Sequence, residues 1–325
     1  MTEGPGTLRL GSRKSPMAIA QSGDAARLLT ERTGRRVEIV GVTTLGDVSK
    51  EHLTQIGGTG VFVSGVRDAL LRGEVDFAVH SLKDLPTEID ARFMLAAIPP
   101  RVDARDAFVC EQYWALHALP MGARVGTTSP RRRAQLLALR PDLNFVEMRG
   151  NIDTRLRKLA EGQCDALVLA SAGLDRLDRA EWVHQRFAID ELCPAPGQGA
   201  LALETRAASY AVFAEPGHDE YVRGAVAALD HAETRFAIEA ERTVLDGLGG
   251  GCSIPIGVHA YPLRDEADVY AWRLHAQVLA PDGERMICST SEEPVGLAAK
   301  TLGARVAAEL KARGALELLA ADLTA

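Results

Sequence analysis

Val75-Asp76-Phe77-Ala78-Val79-His80-Ser81-Leu82-Lys83-Asp84-Leu85-Pro86 runs an apolar β stretch straight into a basic residue, an acid and a proline. Pro86 biases Leu85 away from helix, so the pattern predicts a strand over 75–80 with an abrupt exit. In open α/β sheets, chemistry gathers just beyond the carboxyl ends of strands. Asp84 therefore stands where a catalytic carboxylate is expected, with Lys83 beside it in sequence. Taken alone, the segment is equally a solvated turn closing a surface strand.

Upstream, residues 8–10 read as a strand and Gly11-Ser12-Arg13-Lys14-Ser15-Pro16 as the turn into a helix running to about Thr33. Ser15 suits the N-cap and Pro16 the first helical position. A strand over 37–42 follows, then the polar, glycine-punctuated stretch 43–60 ending in Gly57-Gly58-Thr59-Gly60. A loop of that length in a compact domain is usually either functional or disordered, and it reads as a mobile cover. A helix over 61–72 leads back to the strand at 75–80. Downstream comes a strand at 93–98, with Pro99-Pro100 marking a boundary.

A second α/β unit is expected beyond it. Its strands lie near 106–110, 124–127, 144–147 and 166–170, and its helices at 129–139, 152–161 and around Leu174. Pro194-Ala195-Pro196-Gly197-Gln198-Gly199 is a rigid-then-flexible crossing into a strand at 200–204, which can return to the first unit. From about Tyr221 the character changes. A helix over 232–245 runs into Gly247-Leu248-Gly249-Gly250-Gly251-Cys252, followed by strands at 255–261, 272–279 and 285–291 and a last helix over 294–313. The expected class is α/β: two lobes with mixed sheets plus a small α+β C-terminal domain. The domains expected are 1–100 with 200–220, then 101–199, then 221–325.

With 325 residues, 46% hydrophobic and 25% charged, the chain has ample length for two or three domains. Its net charge of -7 and pI near 5.7 argue against a dedicated nucleic-acid binder. No apolar run approaches a membrane span, and the start lacks the charged-then-apolar pattern of a signal peptide. Five cysteines, odd in number and without a Cys-x-x-Cys pair, point away from disulfides and zinc and fit a reducing cytoplasm. No metal site is expected.

The charge average hides a patch. Between Arg124 and Lys158 stand nine basic residues against three acidic ones, a local excess of six positive charges. Thr127-Thr128-Ser129-Pro130-Arg131-Arg132 joins a strand to a helix, so hydroxyls, backbone N–H groups and the positive helix end face one point. Arg149-Gly150-Asn151 repeats the arrangement, with Arg155 about one turn into the next helix. Guanidinium forks at adjacent strand ends suit a ligand with several carboxylates or phosphates. Arg140, Arg157 and Lys158 fit a solvated helix face instead. No aromatic residues interleave with the arginines, which disfavours nucleic acid as the polyanion.

Cys252 follows three glycines that allow close backbone approach, so it reads as a covalent attachment point or reactive thiol. Cys110, Cys164 and Cys288 fall in or beside apolar segments and read as inert. His80 reads as a packed, hydrogen-bonded side chain at its strand end.

Together, residues 79–86, 127–133, 143–156, 196–204 and 249–257 resemble the porphobilinogen deaminase (hydroxymethylbilane synthase) family, in order and at matching separations over nearly the whole chain. The resemblance implies two periplasmic-binding-protein-like lobes plus the small third domain. It implies head-to-tail condensation of four porphobilinogen molecules into hydroxymethylbilane, with ammonia released each time, in tetrapyrrole (haem) biosynthesis. It also implies a self-made dipyrromethane cofactor held by thioether on Cys252, with Asp84 as the catalytic acid. Lys83, Ser129, Arg131, Arg132 and Arg155 are then expected to bind the cofactor. Arg13, Ser15, Phe62, Thr127, Arg149, Arg176 and Gln198 are expected to bind substrate, Phe62 by stacking on a pyrrole. A cytoplasmic monomer is expected, touching neither membrane nor nucleic acid and passing its product to the next pathway enzyme. Two positions depart from many relatives: Leu45 where arginine is common and Thr59 where lysine is common. The rival reading is a two-lobed cytoplasmic polycarboxylate-binding or sensor protein without catalysis. It leaves Asp84 and the glycine-rich stretch before Cys252 without a role.

Overall fold

Ser15 and Pro16 start the first helix as their order predicts. The Ser15 hydroxyl accepts from Ala18 N at 3.3 Å, and Pro16 opens α1 (Pro16–Thr33), where its missing N–H costs nothing. Gly34 closes the helix in left-handed backbone and donates to Thr30 O. The computed structural model describes residues 6–43, 60–88, 90–210, 217–250, 254–266 and 268–320. The expected cover at 43–60 lies outside the described residues apart from its two end residues.

Around α1 lie β1 (Leu8–Arg13) and β2 (Val37–Val42), followed by α2 (Gly60–Leu71), β3 (Phe77–Ser81) and β4 (Phe93–Ala97). Next come β5 (Asp106–Val109), β6 (Arg124–Gly126), α3 (Pro130–Leu139), β7 (Asn144–Val146) and α4 (Ile152–Ala160). The stretch continues with β8 (Ala166–Ala170), α5 (Ser171–Arg176) and β9 (Val183–Arg186). After the crossing come β10 (Leu201–Arg206), α6 (His218–Ala227) and α7 (Ala232–Gly247). The chain then runs through β11 (Ile256–Asp265), β12 (Asp268–Leu279), β13 (Met286–Pro294), α8 (Ala299–Ala312) and α9 (Ala315–Ala320).

The chain folds into two units, Met1–Arg101 with Ala200–Arg235, and Val102–Gly199 with Phe236–Ala325. In the first, the strands order β2-β1-β3-β10-β4. β2, β1 and β3 are parallel, and β10 runs antiparallel between β3 and β4, with Leu201 opposite Ser81. The strand after the crossing therefore returns to the first sheet, as expected. Leu8, Leu10, Phe77 and Leu203 pack with Ala25 and Leu29 of α1 and Val222 and Val226 of α6. Burying each large side chain contributes about 1.5–3 kcal/mol.

In the second unit a sheet of order β7-β6-β8-β5-β9 repeats the plan: β7, β6 and β8 are parallel, and β5 is antiparallel to β8 and β9. The same unit holds the antiparallel meander β11-β12-β13. Val258, Leu274 and Val278 of the meander pack with Val244 of α7 and Leu302 and Val306 of α8. Trp272 stacks on Phe236 with ring centroids 4.2 Å apart.

The fold is thus the expected one, two mixed α/β sheets and a small α+β domain. Three elements are additional: β9, α6 and α9. The sequence of β9, Val-His-Gln-Arg, is polar and half-buried, so it lacks the apolar alternation that marks a strand. The last long helix begins at Ala299 rather than 294, because β13 extends through Pro294 beside Ala271 of β12.

Candidate active site

In the first unit, the parallel strands β1 and β3 end side by side, and their carboxyl ends carry the expected residues. Beyond Ser81 the chain makes one 3-10 turn, Leu82–Asp84, instead of turning directly into Pro86. Leu82 and Leu85 are buried, Leu82 N donates to Ala200 O at 3.0 Å, and Leu85 N closes the turn on Leu82 O. Gln21 Nε2 of α1 donates to Ser81 Oγ at 2.7 Å. The apolar anchors and this bond fix the turn, leaving Lys83 and Asp84 half-buried upon it. Arg13 ends β1, and Ser15 is spent on capping α1.

His80 is packed, as its position suggested. Its Nε2 lies 3.4 Å from Glu204 Oε2, and Arg67 of α2 grips the same carboxylate at 2.7 and 2.9 Å. Burial would raise the Glu204 pKa, but His80 and Arg67 outweigh it and hold the group below the usual carboxylate range. Phe62 falls in the first turn of α2, and its side chain lies outside the described residues. Leu45 and Thr59 lie outside them as well.

In the second unit, the loop after β6 is built by its hydroxyls. Thr127 Oγ1 accepts from Ser129 N at 3.1 Å, and Ser129 Oγ accepts from Arg132 N at 3.4 Å, capping α3 with Pro130 at its first position. Arg131 and Arg132 converge from the first turn of α3 on Asp106, the first residue of β5. Arg131 Nη2 donates to Asp106 Oδ2 at 2.7 Å, and its Nη1 to Cys193 O at 2.6 Å. Arg132 donates through Nε and Nη2 to Asp106 Oδ1 at 3.0 and 2.7 Å. Gln198 adds a bond to the same oxygen at 2.9 Å and another to Ala104 O. Burial opposes the Asp106 charge, yet Arg131 and Arg132 hold its pKa far below the carboxylate range. Burial lowers the Arg131 pKa in turn, against the pull of Asp106.

The next strand end repeats the device. Asn151 caps α4 by accepting from Thr154 N at 2.8 Å. Gly150 sits at φ +116°, and a Cβ there would lie 2.7 Å from the Thr154 methyl, so only glycine fits. Arg155 Nε donates to Gly150 O at 2.9 Å, and among the described residues the guanidinium has no acid partner. Burial and the neighbouring Arg132 charge push its pKa down to about 10. Arg131, Arg132 and Arg155 thus stand at these strand ends against one carboxylate, Asp106, a donor set that suits an anion. Arg149 is exposed and bonds Glu147 at 2.6 Å, and Arg176 is half-buried at the end of α5.

Three more of the patch are locally balanced, Arg124 by Asp165, Arg140 by Asp142 and Arg157 by Glu161, while Arg133 lies over the Phe145 ring and Lys158 donates to Arg149 O. Arg140 goes beyond a solvated face, because it also donates to the carbonyls of Leu116 and Leu119. Asp106 is the residue that sequence reading missed. It lies 25 and 26 positions from its arginine partners, and only its place as an acid opening a strand could have drawn attention.

Cys252 lies outside the described residues. The approach to it does not: Gly249 and Gly250 take φ values of +92° and +42°, which side chains strain to adopt. Cys110 and Cys164 are buried, and Cys288 is half-buried. Burial pushes the Cys164 thiol up to about 11. Among the described residues no group of three His, Cys, Asp or Glu side chains could hold a metal ion, and no helix is long and apolar enough to cross a membrane.

Two family models match. The porphobilinogen deaminase dipyrromethane cofactor binding domain covers residues 8–214, and the porphobilinogen deaminase C-terminal domain covers 235–312. A relative named porphobilinogen deaminase 1 in Streptomyces coelicolor is 48% identical over 319 residues, 96% of this chain and 97% of that protein. Porphobilinogen deaminase of Thermobifida fusca is 47% identical, covering 96% and 95%. That of Nitratidesulfovibrio vulgaris is 42% identical, covering 96% and 95%. Among solved structures, the methionine binding protein MetQ aligns at 14% identity with a TM-score of 0.42, over 70% of this chain and 92% of that one. With both domain models matched in order and relatives aligned end to end, this chain belongs to the porphobilinogen deaminase family.

Proposed function

We propose that the chain is a hydroxymethylbilane synthase, joining four porphobilinogen molecules head to tail with release of ammonia at each step. Its resident cofactor is the family's dipyrromethane, which we assign to Cys252. The observation that carries this reading is the set Arg131, Arg132 and Arg155 at two adjacent strand ends, where the first two share one buried carboxylate and the third bonds only a carbonyl among the described residues. Each pyrrole of this chemistry bears an acetate and a propionate, so a donor set of guanidinium groups fits the bound group. Arg131, Arg132, Arg155, Ser129 and Lys83 are the residues we assign to holding it. Arg13, Ser15, Phe62, Thr127, Arg149, Arg176 and Gln198 are assigned to substrate.

When bound, the dipyrromethane would supply the free pyrrole carbon to which the first substrate is joined, that carbon giving up its proton as the new bond replaces the C–N bond to the departing ammonia. The chain's own part in the chemistry falls to Asp84. Breaking the C–N bond of the substrate's aminomethyl group sends ammonia away and leaves positive charge spread over the pyrrole. A carboxylate near the ring N–H stabilises that charge, and its conjugate acid can protonate the departing amine. The guanidinium groups neutralise the two carboxylates that each added unit brings.

We further propose three domains, 1–100 with 200–220, 101–199 and 221–325, and a cytoplasmic monomer that hands its product to the next enzyme of the pathway. The rival, a polycarboxylate binder without catalysis, draws no support from the family. Intact-mass measurement tests the reading. The protein should exceed its sequence mass by one dipyrromethane, Cys252→Ser should abolish the excess, and incubation with porphobilinogen should release ammonia. Fully active protein of unmodified mass would refute it.

A further inference from the structure

Asp106 lies beside Ala170, the last residue of β8, because β5 runs opposite to its neighbour. The start of β5 is thereby brought to the edge where β6, β7 and β8 end. With 0% of its surface exposed, Asp106 meets no substrate and no bulk water. It is nevertheless the shared acceptor for Arg131, Arg132 and Gln198. Two cations on one anion leave this buried group with one net positive charge. Asp106 also fixes the orientation of that charge. Arg132 is held through Nε and Nη2, leaving Nη1 as its guanidinium nitrogen without a protein partner among the described residues. Gln198, in the crossing segment, braces the same carboxylate oxygen and Ala104 O.

We propose that Asp106 is a positioning residue: it turns the Arg132 fork so that Nη1 meets a pyrrole carboxylate, and it balances Arg131 so that a single net charge is presented. The inference rests on the function proposed above and adds to it the acid that aims the binding arginine. A purely structural ion pair would also be buried and also be costly to break. It would not, however, set ligand affinity.

The test compares wild type with Asp106→Asn and Asp106→Glu, each purified as it is expressed. Melting temperature, the fraction carrying the added mass, and KM and kcat for porphobilinogen are measured on all three. Asp106→Asn should melt lower, carry less of the added mass and raise KM about tenfold or more, with a smaller change in kcat. Asp106→Glu keeps the charge but displaces the fork by one methylene, so it should recover most of the melting temperature while KM stays raised. Folded variants with wild-type KM and full added mass overturn the inference. If Asp106→Asn does not fold, Asp106→Glu decides alone, and a wild-type KM there overturns it. Wild type lacking both the added mass and ammonia release sinks the functional reading itself, a result distinct from unchanged variants of an active wild type.

Discussion

Replacing Glu241 with glutamine keeps its shape and removes its charge at a completely buried position on α7. Its Oε2 accepts from Gly197 N at 2.7 Å in the crossing segment, and its Oε1 from Ala260 N at 2.9 Å on β11. An amide offers one acceptor oxygen, so one of these N–H groups would face an NH2 donor. Losing a charge-assisted bond costs about 1.5–3 kcal/mol, and leaving a buried N–H unpaired adds about 1–3. The expected loss is therefore about 2.5–6 kcal/mol, the sum of the two contributions. At a urea slope of about 2–3 kcal/mol/M, the unfolding midpoint should fall by roughly 1–3 M. Trp272 reports the event by fluorescence, because it is buried in the same C-terminal core and stacked on Phe236. A midpoint within about 0.3 M of wild type would mean that the two bonds contribute little net, contrary to the reasoning.

Asp84→Asn should abolish most turnover while the covalent group stays on the protein, read by ammonia release and intact mass on one sample; near-normal rates would remove Asp84 from the chemistry. Asp76 is buried, which alone would raise its pKa, yet bonds from Arg9 and His218 hold it below the usual range. A depressed folded pKa stabilises above the unfolded carboxylate value and is lost as pH falls through the folded one. Asp76→Asn should therefore flatten the acid limb of stability below about pH 4, followed by circular dichroism, and an unchanged limb would contradict the pairing. In a Cys252→Ser background, iodoacetamide at pH 8 should leave Cys164 unmodified, since burial pushes its thiol up to about 11; peptide mapping that finds rapid labelling would show the strand end opening to solvent.

Local chemistry made much of this molecule readable. Ser15-Pro16, Ser129-Pro130 and Asn151 announce three helix starts, and each side chain caps as its type dictates. Strands with apolar runs, such as Ala-Leu-Val-Leu-Ala at 166–170, were equally plain. The half-buried polar strand β9 and the helix α6 were not. The inner face of α6, Val222, Ala225 and Val226, is a short apolar patch that becomes meaningful only once it meets Leu10 and Leu203 in the first unit's core. Candidate residues at strand ends were legible for the same local reason, since a turn sequence marks where a strand stops.

What a strand-end arginine is bonded to is a long-range fact, and here it separates residues that look alike in sequence. Arg131, Arg132, Arg149 and Arg155 all follow strand ends, yet Arg131 and Arg132 share Asp106, Arg149 bonds its neighbour Glu147, and Arg155 bonds only a carbonyl among the described residues. Counting charges along the chain gives six in excess, but the patch is not uniformly positive. Arg124, Arg140, Arg149 and Arg157 each have an acid within 2.7 Å, so their fields fall off steeply outside the pair. At the ends of β6 and β7, by contrast, Arg131 and Arg132 share the single carboxylate of Asp106 and Arg155 bonds a carbonyl, so guanidinium groups there outnumber the acid. Guanidinium groups in excess of the acids that pair them bind a carboxylate through charge-assisted bonds. The shortage of acid at these two strand ends, rather than the count of basic residues along the chain, is thus what suits them to a carboxylate ligand.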